Sequence, residues 1–563
     1  MVLSAQPRVY DRPMDRRAGR TWGFMFWLSG CVVSSCGSDG SDPAATAGQG
    51  PSGGDATTGG ASQNGGGAGS GGRTMGTGGK SATGGSTAGA GAGAGGRRSS
   101  GGSAGAGSGG RILDGGNAGS GQGEAGSGGA GAGPQCAPIT TFETDLEPSA
   151  ILHVATTGTA DASGTEQDPF DSIEAAVAAA EPGTAVRVHA GQYVGDIFLS
   201  DVTGTEEAPI WIGGAPGEER PVIGGAQSSE ALHVSGARYL VLHDLEITGT
   251  TANGINLDDR GEYSNTAALS HVVVRNLSIH GVGTGGNNDC LKISGANHFF
   301  VLDSDFSDCS EGGSNIDHVG CHDGLIAGNS FVGGGTGVQA KGGSRNLEIR
   351  GNIFRQNGGR AVNMGGATGF EFFRPPLDPA GENYEASDIR VVANLFDRAA
   401  EVAALPGCVD CLFAHNTVYR PTTRILRILQ ETTTSDGFTF LPASNGRVAN
   451  NLFVYSRAEI SNAGRAINVG ANTSPTTFTY SNNLWYASDD IAGSANVDYQ
   501  GATVNGTLPP ADPAFVDPEN GDFTLPAASP AIGAGIELGE VPQDGLGRCY
   551  ATPPTLGAFE RAP

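Results

Sequence analysis

From about residue 240 onward, apolar and polar side chains alternate in short runs that end alike. A polar residue, usually Asn, is followed within one to three positions by a large apolar side chain. The pattern recurs at Asn276 with Ile279, Ser304 with Phe306, Asn329 with Phe331, Asn352 with Phe354, Asn394 with Phe396, Asn416 with Val418, Asn451 with Phe453 and Asn483 with Trp485. Asp244 with Ile247 is a weaker first copy. Successive polar positions lie 32, 28, 25, 23, 42, 22, 35 and 32 residues apart. A floor of 22–23 with irregular extensions predicts a right-handed parallel β-helix, each coil turning three short strands and insertions leaving at the corners. Stacked at ~4.8 Å per rung, the Asn residues form an inward amide ladder and the Phe residues an aromatic one. A propeller, with about 40 residues in every four-stranded blade, does not fit the spacing.

A second strand precedes each copy, at 254–258, 290–294, 315–319, 337–341, 361–365, 401–405 and 466–470. Period-two alternation points Ile255, Leu257, Leu291, Ile293, Ile316, Val338, Ala340, Val362 and Met364 inward. It leaves an outward stripe of Asn256 and Asp258, Lys292 and Ser294, Asp317, Gln339 and Lys341, then Asn363, which stops where Ala403 and Leu405 follow. Residues 171–180 read as a short helix with Asp171 and Glu174 at capping-box spacing, placed to plug the first coil, whose open edge would otherwise invite aggregation.

Composition divides the chain. Of its 96 glycines, 40 fall in residues 37–135, a segment too poor in apolar side chains to offset its chain entropy and expected to be a disordered linker. Before it, five arginines, a short apolar run and Leu28-Ser29-Gly30-Cys31 have the layout of a lipoprotein signal, with Cys31, or alternatively Cys36, as the lipidated residue; an ordinary cleaved signal is the other reading. The domains expected are therefore 1–36, 37–135 and a β-helix over 136–563, exported and lipid-anchored at the cell envelope or secreted. The β-helix segment has 22 basic against 51 acidic residues, a balance of −29. That disfavours nucleic acid and anionic lipid, so membrane contact is expected through the anchor only. A monomer is expected. Cys408 and Cys411 lack a second pair at zinc spacing and read as a local disulfide or two buried thiols.

The opening at 152–158, Asp168 to Ile173, Pro182-Gly183 and Ala190 to Tyr193, with the closing Asp512 to Asp517, Gly521 to Phe523, Ser529 to Gly533 and Gly557 to Glu560, resembles the caps and ends of the right-handed parallel β-helix, pectate lyase-like superfamily. The resemblance covers about 150–563. It implies that fold and an acidic polysaccharide partner; lyases, hydrolases, epimerases and non-catalytic proteins share the fold. Gln339 to Asn346, followed by Asn352 and Phe354, is also similar to the coil of the chondroitinase B and alginate lyase family that carries its base lysine before a serine, which implies Lys341 as a base. Gln339 stands where that family offers acidic calcium ligands, and Arg360 is displaced from its partner arginine. Asn288 to Gly295 looks like one fragment of the polygalacturonase pattern, with Asn288 in place of the first of two aspartates.

Uronic-acid polymers are cleaved by β-elimination when a cation acidifies the C–H beside the carboxylate and a base removes that proton. Asp258, Asp259, Asp289 and Asp317 are the candidate ligands for Ca²⁺, which takes several hard oxygens. Lys341 or Lys292 is the candidate base, given a lowered pKa, and Arg360 a partner for the sugar carboxylate or leaving oxygen. Asn256, Gln339, Asn363 and Arg374 are candidate substrate-binding residues. Phe370 to Arg374 and Tyr384, inside the long 352–394 spacing, form a loop that either overhangs the groove or packs on itself. In the cluster Asp317-His318-Val-Gly-Cys321-His322-Asp323, His318 is read as a buried hydrogen-bonded histidine and Cys321 as a structural cysteine, ahead of a zinc site. The reading is an extracellular polysaccharide-acting protein, foremost a uronate lyase, with a non-catalytic carbohydrate-binding or structural protein as the alternative and a hydrolase behind it.

Overall fold

The computed structural model describes residue 136 and residues 138–561, apart from 284 and 461–464. The readings for 1–36 and 37–135, with Cys31 and Cys36, lie outside the described residues. From Ala150 onward the chain winds as a right-handed parallel β-helix. Its site-bearing column of stacked strands includes Ile197–Thr203, Leu232–His243, Ile255–Asp258, Leu291–Ser294, Ser314–Val319, Thr336–Lys341, Arg360–Met364, Glu401–Pro406 and Arg424–Leu429. A second column holds Leu269–Arg275, Ala296–Leu302, His322–Ala327 and Ser344–Arg350 among others, and a third runs from Gln192–Val194 to Leu484–Ala487. All nine inward side chains named above are buried. The plug helix is Ile173–Ala178, and its cap is Ser172, whose hydroxyl accepts from the Ala175 N–H, in place of the expected Asp171.

The amide ladder runs from Ser304 through Asn329, Asn352, Asn394, Asn416 and Asn451 to Asn483. Each Asn Oδ1 accepts the backbone N–H of the preceding coil's ladder residue at 2.8–3.1 Å. Asn276 and Asp244 do not belong to it. They hold the left-handed turn position just before it, at φ 53° and 54°, and Leu277 and Leu245 fill the inward place. The ring stack runs Phe306, Phe331, Phe354, Phe396 at 4.8–5.1 Å between centroids, and ends on Phe453 over Trp485 at 4.0 Å. Val418 interrupts it, and Phe413 from the neighbouring column enters the gap.

Among the described residues three disulfides join Cys136 to Cys549, Cys290 to Cys309 and Cys408 to Cys411, and Cys321 is a buried free thiol. The long 352–394 coil carries an insertion whose strand Glu382–Asn383 pairs with Thr439–Phe440 of a second insertion. Phe370, Phe373, Phe438 and Phe440 pack together there. No helix among the described residues is long and apolar enough to cross a membrane.

Candidate active site

Strand register lines up the outward positions of the site-bearing column. Phe198, His233, Asn256, Lys292, Asp317, Gln339 and Asn363 form one row; Ser200, Ser235, Asp258, Ser294, Val319 and Lys341 form the next. The row continues through Ala404 to Arg427; Ala403 and Leu405, expected outward, are buried one position out of phase. Over these rows lies a cleft of about 870 Å³, with Asn256, Asp258, Lys292, Asp317 and Lys341 on its floor. Arg260, Tyr263, Thr368, Phe372 and Arg374 wall it. Two exposed rings flank it, Phe198 at 55% and Phe372 at 47%.

At the centre of the floor is Asp317, 1% exposed. Lys292, one rung before it in the same row, donates to Asp317 Oδ2 at 2.9 Å, and Lys341, on the diagonal of the next rung, stands 3.2 Å from Oδ1. Lys292 also reaches Asp289 Oδ2 at 3.3 Å, while Asp289 Oδ1 accepts the Ser314 N–H at 2.8 Å. Burial opposes the charge on Asp317, but the two lysines outweigh it and hold the carboxyl below its usual range. Burial, then repulsion from Asp317, pushes Asp289 up. Burial likewise opposes the charge on Lys292, and Asp317 and Asp289 outweigh it, so its pKa is raised. Lys292 is therefore a fixed ammonium at neutral pH, which corrects its assignment as a candidate base.

The four aspartates do not converge. Asp259 is held by Arg374 through two bonds, Nε to Oδ2 at 2.7 Å and an Nη to Oδ1 at 2.9 Å. Asp258 accepts from His233 at 2.5 Å and from Ser235 at 2.8 Å. Asp289 and Asp317 are bridged by Lys292. Among the described residues no group of three or more His, Cys, Asp or Glu side chains is disposed to hold a metal. The expected Ca²⁺ donor set does not fit, because the oxygens Ca²⁺ would need already serve protein cations and N–H groups.

Three further expectations change. Arg360 does not line the cleft; Glu401 at 3.1 Å, Glu431 at 2.7 Å and Asn363 at 3.1 Å claim its guanidinium. Gln339 and Asn363 keep their places in the row but lie outside the cleft lining. A Cβ added to Gly366 would stand 2.8 Å from Gln339 Nε2 and 3.2 Å from carbons of Lys341, so the inserted segment crosses the floor there. Arg374 does wall the cleft, yet its donors are spent on Asp259 and on the Phe372 carbonyl at 2.8 Å, and it lies 4.3 Å over the Tyr263 ring. It positions the wall rather than offering a free cation.

His318 is buried, donating to the Gln339 carbonyl at 3.0 Å, and burial lowers its pKa to about 4. With Cys321 buried as well, neither is presented to the cleft. Sequence reasoning passed over His233 and Phe198. His233 sits between Asp258 and Glu230, 3.5 Å from the latter, and edge-on to Phe198 at 5.1 Å.

A family described as "Pel9A-like, right handed beta helix region" matches residues 152–336. Over those residues the chain is similar to a Pel9A-like right-handed β-helix region. The matched segment contains Asp258, Lys292 and Asp317 and stops short of Lys341; the superfamily resemblance drawn from the sequence is borne out. Among solved structures, pectate lyase Pel9A is 17% identical, with a TM-score of 0.44, covering 75% of this chain and 98% of that one. A rhamnogalacturonan lyase is 13% identical, with a TM-score of 0.43, covering 68% and 96%. A tailspike capsular polysaccharide depolymerase, gp49 of the Acinetobacter baumannii bacteriophage Fri1, is 12% identical, with a TM-score of 0.32, covering 58% of each chain. No curated protein matches.

Proposed function

We propose that this β-helix acts on uronic-acid polysaccharide by β-elimination, in the cleft over Asp317. The observation that carries the reading is two lysines converging on one buried carboxylate beneath exposed aromatic rings. Within a segment whose balance is −29, the cleft lining carries Lys292, Lys341 and Arg260 against Asp258 and Asp317, with Arg374 spent on Asp259, a local excess of cations that supports an anionic substrate. Phe198 and Phe372 offer apolar faces on which sugar rings stack. In this reading Lys292, a permanent cation, faces the uronate carboxylate and lowers the acidity barrier at C5. Lys341, once its own ammonium proton has passed to solvent, takes the C5 proton. The C5–H electron pair becomes the C4–C5 double bond, the C4–O bond breaks, and the departing oxygen takes a proton from solvent. Three disulfides support a place outside the cytoplasm, the compartment where such polymers are met.

The test is ultraviolet absorbance of unsaturated uronide after incubation with alginate, pectate and chondroitin. Signal on at least one polymer, reduced at least about 10²-fold in Lys341→Ala, is the expected result. New reducing ends without absorbance would identify a hydrolase instead. Polymer binding with no product would leave the non-catalytic carbohydrate-binding reading.

A further inference from the structure

Asp289 and Asp317 are both almost wholly removed from solvent and lie close enough to share one ammonium group. Two carboxylates so buried require positive charge between them, since neither has water to solvate it. In a calcium site that charge would be the ion, gathering six to eight oxygens at about 2.3–2.6 Å. Here the place between them holds Lys292 Nζ, 3.3 Å from one carboxylate and 2.9 Å from the other. The remaining Asp317 oxygen faces Lys341 at 3.2 Å, and the remaining Asp289 oxygen accepts the Ser314 N–H at 2.8 Å. Each of the four carboxylate oxygens thus has a protein cation or an N–H beside it, Asp317 Oδ1 meeting Lys341 as an ion pair while accepting no hydrogen bond.

We propose that the Lys292 ammonium is the resident cation of this site, tethered between Asp289 and Asp317 in the position a divalent ion would otherwise take. Register explains how it arrives there. Lys292 and Asp317 are direct neighbours in the outward row, and Asp289 lies three residues before Lys292, at the turn where the strand begins. A tethered charge needs no recruitment from solution, and it faces the cleft with a quarter of its side chain exposed. One consequence, indifference of turnover to chelator, rests on the lyase reading. The claim about the cation does not, because it is read out by metal binding.

The experiment is calorimetric titration of Ca²⁺ into the full chain as wild type, Lys292→Met and Lys292→Met with Asp317→Asn, folding being checked by circular dichroism. Methionine keeps most of the aliphatic stem and removes the charge. Wild type is expected to show no Ca²⁺ binding that depends on Asp317. Lys292→Met gains one Ca²⁺ per chain, at least about tenfold tighter than any background binding to the acidic surface, and Asp317→Asn removes that gain. Asp317-dependent binding in wild type, or a folded Lys292→Met with no gain, overturns the proposal. Should Lys292→Met not fold, the wild type decides: an unfolding midpoint equal in Ca²⁺ and in chelator supports the tethered cation. A midpoint raised by Ca²⁺ in wild type but not in Asp317→Asn overturns it.

Discussion

Asn394 shows what one side chain of the ladder is asked to do. Its Oδ1 accepts both the backbone N–H of Asn352, at 2.9 Å, and the Asn352 side-chain amide, at 3.0 Å. Its own amide donates to Ile349, Val392 and Asn416. Asn394→Ala strands these buried groups and is expected to cost about 3 kcal/mol in urea unfolding. Asn276→Ala, in the turn position that resembles the ladder in sequence, is expected to cost no more than about 1 kcal/mol. Two buried histidines set an acid limit at the same scale. Burial lowers His318 and His415 to about 4. Below about 6.5 the unfolded chain takes up protons that the folded chain refuses, so stability is full above that pH and falls as pH drops toward 4, by up to about 3 kcal/mol per histidine. Urea midpoints at pH 7 and pH 4.5 measure the fall, and His318→Gln is expected to remove its share.

At the scale of elements, the segment from Gly365 to Arg374 decides the shape of the cleft. It is fastened at several points: the Gly366 N–H to the Pro406 carbonyl at 3.1 Å, Thr368 to the buried Glu385 at 2.7 Å, and the Arg374 N–H to the Gly342 carbonyl at 3.0 Å. The bidentate Arg374 to Asp259 pair then ties it to an earlier coil. Gly320 permits that approach, since a Cβ there would lie 2.4 Å from the Arg374 Cβ. Arg374→Ala leaves Asp259 buried and unpaired and is expected to cost about 3–5 kcal/mol, with faster proteolytic cleavage between 365 and 385. Adding Asp259→Ala is expected to recover part of the loss, a coupling that a double-mutant cycle reads directly.

Elements also show how far the sequence was legible. Coils, inward residues and the row from Asn256 to Lys341 follow from alternation, because a strand has only two faces. The 42-residue spacing announced the insertion. What alternation does not carry is which outward residues another segment will cover, and so Gln339, Asn363 and Arg360 were grouped with the cleft although the inserted segment and Glu401 separate them from it. Nor does composition reveal pairing. Four aspartates close in sequence read as one calcium site until each is seen with its own cation or donor. His233 escaped because its strand, Leu232–His243, runs through two columns and turns at Gly236 without the Asn signal that marks later coils, and Phe198, on Ile197–Thr203, lies one coil earlier, before that signal begins.

The whole molecule departs from a simple stack in one respect. In a solenoid each coil contacts only its neighbours, so ends fray independently. Here residues 138–149 run lengthwise along the outside. Cys136 donates its N–H to Gly547 at 3.0 Å, in the closing segment that packs beside Gly351 and Ala393. Phe142 meets Tyr239 edge-on at 5.5 Å, Glu143 pairs with Arg275 at 3.4 Å, and Ser149 bonds Gly183 at the first coil. One short segment thus spans from the middle coils back to the cap, and the disulfide Cys136–Cys549 fixes its far end across 413 residues. The bond ties the segment that leads into the first coils to the closing segment, and the two ends are expected to open together. Cys136→Ser with Cys549→Ser is expected to leave the central coils at the wild-type urea midpoint while the ends open earlier. Hydrogen exchange would read this as lost protection in 150–188 and 512–560, with protection retained in Ser314–Val319 and Thr336–Lys341. If all coils instead lost protection together, the lengthwise segment would not be the coupling element, and the column contacts alone would carry the cooperativity of the β-helix.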